Sequence, residues 1–329
     1  LEHQGGMSRL PLSRRTFLTS SLAAPALAPA LGRSQSLEHV DLLLDWRAAP
    51  TYAGFYIAQD MGAFRKRGVD VRLVEGHGAT LAAELVGKGN DYWIGSSSGA
   101  ATAIGRAKDQ AVRSLAVYYR RTPTVIYARA EDHIDAPRDL YGKKIGLVPG
   151  SVTVDEYRAL LIANRLDRSR ITEVEVEWNA KALLDRKVDA LIDYEEITPA
   201  ELIAEGRKIS TMRLADFGVR LYSLNLVVND ASWAVPGRQA TARKIAEALA
   251  EGYGIVRDRP REAAATFKRL FPDVKPRYVD QSMMTVGRQL GTLQIGLQTR
   301  VGWEDTLKIL TALGLLARPV GPEEVAILD

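Results

Sequence analysis

The chain has 329 residues, 46 % apolar and 26 % charged, the balance of a soluble globular protein long enough to bury two cores. Lys and Arg total 44 against 40 Asp and Glu, and Arg9, Arg14, Arg15 and Arg33 supply most of the excess, so charge gives no footprint for nucleic acid. There is no cysteine, which removes disulfides, thiolate nucleophiles and Cys-ligated metals.

Residues 8–36, SRLPLSRRTFLTSSLAAPALAPALGRSQS, carry a basic start, a weakly apolar Ala/Leu run and small-residue triplets, the order of a secretory signal. The pair Arg14-Arg15 before Phe17 and Leu18 resembles a twin-arginine signal, so a periplasmic location is expected. The run is too short and too proline-broken to span a bilayer. Residues 1–36 are therefore set aside as leader plus upstream residues.

Val40, Leu42 and Leu44 alternate with polar neighbours and predict a strand over 39–45. Gly54, Ile57, Ala58, Met61 and Phe64 follow helical spacing, so a helix is expected over 53–66, ended by Gly68. Val69, Val71 and Leu73 form the next strand, a helix follows over 79–88, and YWIGS reads as a third strand. A helix from Ser98 and the strand VRSLAVYY complete a β-α-β-α-β series, which predicts a parallel sheet with crossover helices. The pattern restarts at TVIYARA (124–130). Strands IGLV (145–148), TEVEVEW (172–178) and VDALIDY (188–194) then alternate with a turn, the helix within PGSVTVDEYRALLIANRL and the short helix NAKALLDRK. YSLNLVVND (222–230) is strand-like again, and the chain from Gly237 is mostly helical. One α/β unit thus interrupts another.

The stretch LDWRAAPTYAGFYIAQDMGAFRKRGVDVRLVEG gathers Trp46, Tyr52, Phe55 and Tyr56 where a strand hands over to a helix. Together with DYWIGSSSGAATAIGRA, LYGKKIGLVPGSVTVDEY and VDALIDYEEITPAELIAEG it resembles the NMT1/THI5-like family. The resemblance rests on Trp46, Pro50, Gly54-Phe55-Tyr56-Ile57-Ala58, Gly62-Ala63-Phe64 and Gly68-Val69-Asp70-Val71, and covers most of residues 39–230. It implies an α/β, two-lobed type II periplasmic-binding fold, each lobe a mostly parallel sheet flanked by helices. Lobe 1 would comprise 37–123 and 225–329, and lobe 2 would comprise 124–224. Family members include solute-binding components of ABC importers for thiamine-pyrimidine precursors, flavins, alkanesulfonates or nitrate. A small-molecule ligand, an ABC permease in the inner membrane and a monomeric state are what the resemblance implies here.

Ligand would lie between the lobes, beyond the carboxyl ends of the strands. Trp46 and Tyr52 are expected there as stacking faces, with Phe55 or Tyr56 a further candidate. Ser96, Ser97 and Ser98 open one helix after a strand, and Gly150, Ser151 and Thr153 repeat the arrangement in the second unit; both offer N–H and hydroxyl groups to a polar ligand, or simply cap their helices. Of Tyr118 and Tyr119, neighbours on a strand, one should face the cleft. Tyr157 and Trp178 are the lobe-2 counterparts, with core filling the expected role of Trp178. Relatives often carry Tyr followed by Glu-Pro in the segment that reads Asp193-Tyr194-Glu195-Glu196-Ile197-Thr198-Pro199 here. Thr198 replaces that glutamate; Asp193, Glu195 or Glu196 could stand in for it beside Tyr194, with a solvated acidic turn the alternative for Glu196. His77 is a loop candidate. The four histidines show no metal-ligand spacing, and neither metal nor cofactor is expected. A carboxylate in the cleft favours a flat heterocycle with N–H donors over a sulfonate or nitrate anion, which ranks second. An enzyme is the competing class. Eukaryotic members of the family make the thiamine pyrimidine with a cysteine-rich iron motif that this chain lacks, and GSSSG is not a Gly-x-Ser-x-Gly nucleophile turn.

Overall fold

Ten strands build two five-stranded sheets in a computed structural model that describes residues 37–328; the expected leader over 1–36 lies outside the described residues. The first sheet uses β1 (Glu38–Leu43), β2 (Val69–Val74), β3 (Ile94–Ser98), β4 (Val112–Val117) and β10 (Leu224–Asn229), in the order β2-β1-β3-β10-β4. β1 runs parallel to β2 and β3, and β10 runs antiparallel between β3 and β4. The second sheet uses β5 (Thr124–Arg129), β6 (Lys144–Leu147), β7 (Thr172–Glu175), β8 (Ala190–Tyr194) and β9 (Ile209–Arg213), in the order β7-β6-β8-β5-β9. Here β6 is parallel to β7 and β8, while β5 is antiparallel to β8 and β9.

Helices α1 (Ala53–Asp60), α2 (Ala79–Lys88) and α3 (Gly99–Ala107) connect the first strands. Helices α4 (Val152–Ala163), α5 (Lys181–Leu184) and α6 (Thr198–Ala204) belong to the second unit. The remainder is α7 (Asp230–Trp233), α8 (Pro236–Asp258), α9 (Pro260–Leu270), α10 (Pro276–Leu290), α11 (Arg300–Ala312) and α12 (Pro322–Val325). One face of the first sheet packs on α1, α8, α9 and α10 through Leu42, Phe55, Leu226, Tyr253, Phe267 and Met283. Its other face meets α2 and α3 through Ala83, Val86, Ala101 and Val227. Coverage on both faces buries all of β10, whereas the edge strand β2 alternates and leaves Arg72 exposed.

The predicted helix over 53–66 stops at Asp60, because Gly62 takes a left-handed φ of 70° and a short 3-10 turn replaces the last stretch. α1 crosses α8 at very short range. A Cβ on Gly252 would lie 2.1 Å from the Gly54 carbonyl oxygen, and one on Gly54 would lie 2.4 Å from the Tyr253 ring, so only glycine fits either position. β9 and α6 were not foreseen from the sequence.

The chain passes from β4 to β5 and returns from β9 to β10, and the two crossings pair with each other. The Tyr118 and Tyr119 amides donate to the Leu224 carbonyl at 2.8 and 3.2 Å, and the Ser223 amide donates to the Tyr119 carbonyl at 2.9 Å. Beyond β10, α11 and α12 do not confine themselves to the first sheet. Trp303, Leu307, Leu310 and Val325 join a cluster with Ile126, Ile145, Tyr157 and Leu160 of the second unit and with Ala100 and Val117 of the first. Both sheets belong to one compact unit.

Candidate functional site

The loop after β1 and the loop after β7 bring two indoles face to face. Trp46 is 43 % exposed and Trp178 is 51 % exposed, and their rings stack with centroids 6.5 Å apart and planes inclined by 22°. Arg47 lies over the Trp46 ring at 5.6 Å. The Trp178 indole N–H donates to the Asp193 carboxylate at 3.2 Å. Core filling is therefore the wrong role for Trp178: β7 ends at Glu175 and the following loop carries the indole out to the surface.

Behind the indoles, polar groups of both sheets converge. The Asp45 amide donates to the Ser96 hydroxyl at 2.9 Å, and that hydroxyl donates to the Asp45 carboxylate. Burial raises the Asp45 carboxyl above the usual range, with the Ser96 hydrogen bond opposing it. The Tyr52 hydroxyl faces Asp45, and its titration is pushed well up by burial and then by that carboxylate. From the second sheet, Tyr194 faces Glu156, Asp45 and Glu196 and is likewise raised, mainly by burial.

Glu196 is fully buried, which excludes the solvated-turn alternative. Its carboxylate accepts from the Thr51 hydroxyl at 3.0 Å and from the Gln289 amide at 3.0 Å, and its backbone carbonyl accepts from Ser282 at 2.8 Å. Thr51 precedes α1, and Ser282 and Gln289 lie on α10, so three bonds tie the β8–α6 turn to the first unit. Burial raises the Glu196 carboxyl to about 7, against the pull of these donors. Glu156 accepts from the Thr122 hydroxyl at 2.6 Å and is raised to about 7 for the same reason. Two atoms beside this cluster have no hydrogen-bond partner among the described residues: the Tyr119 hydroxyl, which faces Glu196, and the Gln289 side-chain carbonyl. Each keeps an unused hydrogen-bonding capacity directed at the space beside Glu196.

Several expected site residues sit elsewhere. Phe55 is 0 % exposed, edge-on to Tyr52, Tyr118 and Tyr253, and Tyr118 stacks on Tyr253 at 4.8 Å, so both belong to the first core. Tyr56 packs on Phe267 and Phe271. Of the neighbours Tyr118 and Tyr119, it is Tyr119 whose ring is coupled to the polar cluster. Tyr157 is buried in the core shared by the second sheet and α11. Ser97 donates to the Ala79 carbonyl at 2.9 Å, and Ser98 accepts from the Ala101 amide as the cap of α3, so the serine run is largely committed to holding its own loop. Ser151 caps α4 and bonds Thr153. Gly150 and Ser151 border a cavity of about 430 Å³ at the carboxyl ends of β6 and β7, where Arg168 pairs with Glu173. Asp193 holds Trp178 and Thr198, and Glu195 is drawn off into an ion pair with Arg213 at 2.6 Å. His77 is exposed on its loop. Among the described residues no group of three or more His, Cys, Asp or Glu could hold a metal ion. The structure thus brings together Tyr52, Ser96, Tyr119, Tyr194 and, nearer the surface, Trp46; the Tyr52 ring, however, is buried in the first core edge-on to Phe55, so it offers this cluster its hydroxyl and not the open stacking face expected. Sequence reading missed Gln289, gave Trp178 the role of core filler and left Glu196 open between the cleft and a solvated turn.

The NMT1/THI5-like family model matches residues 49–263. A formylaminopyrimidine-binding protein of Halalkalibacterium halodurans is 24 % identical over 299 residues, covering 88 % of this chain and 90 % of its own. A 4-amino-5-hydroxymethyl-2-methylpyrimidine phosphate synthase of Uromyces fabae is 26 % identical over 278 residues, covering 77 % of this chain and 80 % of its own. Among solved structures, the periplasmic aliphatic sulphonate-binding protein SsuA of Escherichia coli superposes with a TM-score of 0.71 at 12 % identity, over 88 % of this chain and 97 % of its own. That likeness is one of fold, the two-sheet type II periplasmic-binding architecture expected above. With the family match spanning most of both α/β units, the chain belongs to the NMT1/THI5-like family.

Proposed function

We propose that this protein is the solute-capturing component of an importer and closes its two units around a small flat heterocycle, of pyrimidine type or flavin-like, without chemically altering it. The observation that carries this reading is the polar cluster between the sheets: the unpartnered Tyr119 hydroxyl and Gln289 carbonyl beside Glu196, a carboxyl poised at about 7. An aminopyrimidine edge presents N–H donors next to ring-nitrogen acceptors. A hydroxyl, an amide carbonyl and a carboxyl able to hold or release a proton near neutrality complement that edge. They do not complement a sulfonate, whose oxygens only accept. Burying the faces of such a ring, on the order of 150–250 Å², contributes ~4–6 kcal/mol at ~25 cal/mol per Å². With the edge hydrogen bonds this exceeds an association cost of about 4 kcal/mol or more and reaches micromolar affinity. Closure of the paired crossings near Tyr119 and Ser223 commits the ligand, and the closed form docks on an ABC permease at the inner membrane.

Thermal-shift measurements with a panel of aminopyrimidines, flavins and alkanesulfonates test this directly, since a ligand bound only by the folded form raises Tm. An upward shift with ring compounds and none with taurine supports the reading; the reverse pattern replaces it with anion capture. The likeness to a pyrimidine phosphate synthase gives the second reading, an enzyme of the same ligand class. Recovery of the bound ring unchanged after prolonged incubation, read by mass spectrometry, favours capture; a converted product favours the synthase.

A further inference from the structure

We propose that Trp178 is a specificity-determining residue: its indole and that of Trp46 are the two walls of a slot that takes one planar aromatic ring, and Asp193 is the positioning residue that fixes the second wall. The inference rests on the ring-capture reading above and names which residues choose a ring over any other ligand.

The spacing is the first ground. Two indoles with centroids 6.5 Å apart lie near the outer end of the ~4.5–7 Å range in which rings attract each other, so the stack is a wide one. A ring between them makes two van der Waals contacts of ~3.5 Å each, about 7 Å in all. The planes are separated by no more than the 6.5 Å between centroids, so admitting a ring takes an opening of at least about half an ångström, and the 22° inclination already leaves the planes nearly parallel.

Placement is the second ground. Trp46 belongs to the loop after β1 of one sheet and Trp178 to the loop after β7 of the other. Each is about half exposed, an unusual disposition for two of the chain's largest apolar side chains unless a further surface covers them. Neither loop alone could sandwich a ring; the slot exists only when the two units approach each other.

The third ground is rigidity. Trp178 is held through its ring N–H by Asp193 at 3.2 Å. Asp193 is itself buried, and it also accepts from the Thr198 hydroxyl and from the Tyr194 amide at 2.7 Å. The next residue, Tyr194, faces the polar cluster with Asp45 and Glu196. A single turn at the end of β8 thus fixes both the plane of the second wall and the hydrogen-bonding edge. A planar heteroaromatic with one polar edge satisfies both together. A tetrahedral sulfonate finds no use for two flat walls, so Trp178 separates these ligand classes.

The test uses the full protein with 4-amino-5-hydroxymethyl-2-methylpyrimidine, riboflavin and taurine as probes, and reads both Kd by calorimetry and the far-UV exciton couplet of the paired indoles. Trp178→Ala should weaken binding of the ring compound tenfold or more. Trp178→Phe, which keeps a flat wall, should stay within about threefold of wild type, and it serves as the variant that reports if the alanine change unfolds the chain. Wild type should show the couplet, both variants should lose it, and a bound ring should attenuate it. A ring compound that binds wild type and Trp178→Ala equally, or binds without touching the couplet, overturns the slot while leaving ring capture intact. Failure of both ring compounds to bind wild type removes the capture reading and the slot with it, even if the couplet is present.

Discussion

Raising the pH should loosen the folded protein through Glu196, and Glu196→Gln should remove a large part of that effect. Burial lifts this carboxyl from 4.5 to about 7 in the folded chain. The folded state therefore binds more protons than the unfolded state between those values. The stabilising contribution of the protonated form is complete below 4.5 and is lost as the pH rises through about 7. At ~1.4 kcal/mol for each tenfold change in proton affinity, ionisation costs on the order of 3 kcal/mol by pH 8.5. Glu156 is lifted to a similar value and acts with the same sign. The groups facing Glu196 from neighbouring elements are Thr51, Ser282, Gln289, Tyr119, Tyr194, Tyr253, Tyr278 and Asp193. The tyrosines among them that face it across the cluster are all shifted upward, and Asp193 is raised as well, so none supplies an opposing slope near neutrality. Carboxylates held low by arginine, such as Asp41 beside Arg72 and Glu173 beside Arg168, act only in the acid range. Glutamine keeps an acceptor for the Thr51 hydroxyl, and rotation of the Gln289 amide offers its free carbonyl to the new side-chain N–H. Urea unfolding at pH 5 and pH 8.5 reads the difference. Wild type should lose several kcal/mol and Glu196→Gln roughly half as much. Equal losses in the two proteins, or stability that rises with pH, would refute the assignment of Glu196 as a desolvated acid.

Three further outcomes follow from the packing and the site. Tyr119→Phe removes a buried hydroxyl that has no partner, so stability should hold or rise by up to about 1 kcal/mol while affinity for an aminopyrimidine falls about tenfold; a loss of stability with unchanged affinity would make it a structural group. Gly252→Ala places a methyl 2.1 Å from the Gly54 carbonyl, and overpacking should cost about 1–3 kcal/mol despite alanine's better helix propensity, as urea midpoints would report. Trp303→Ala empties a fully buried site where the indole meets Tyr222 edge-on at 5.2 Å, with an expected loss of about 3–5 kcal/mol in the same assay; a loss under 1 kcal/mol would mean that α11 is dispensable to the shared core.

Much of the fold is legible because its signals are local. Period-two runs such as Val69, Val71 and Leu73 need only their own neighbours to be read as a strand, and Ser98 and Ser151 announce the helices they cap. β9 and α6 escaped for opposite reasons. Ile209–Arg213 holds a single fully buried apolar residue, Met212, and α6 begins at Thr198-Pro199 inside a segment read for its charges. The site is harder, because whether a ring faces a core or a cleft is decided by elements far away in the chain. Phe55 lies in the core because Tyr253 of α8 closes over it, and nothing near Phe55 says so. Glu196 looks like a surface acid until α10 brings Gln289 and Ser282 against it. Trp178 ends an alternating segment and reads as a core residue, yet its partner is Trp46 of the other sheet. Only tertiary pairing distinguishes these cases.

Calorimetric titration of the purified protein with 4-amino-5-hydroxymethyl-2-methylpyrimidine, with taurine as the paired comparison, addresses the claim of ring capture most directly. One site per chain at micromolar affinity or tighter for the pyrimidine, with no heat from taurine, is the predicted result. Saturable binding of taurine with none of the pyrimidine, riboflavin or any other ring compound would contradict it.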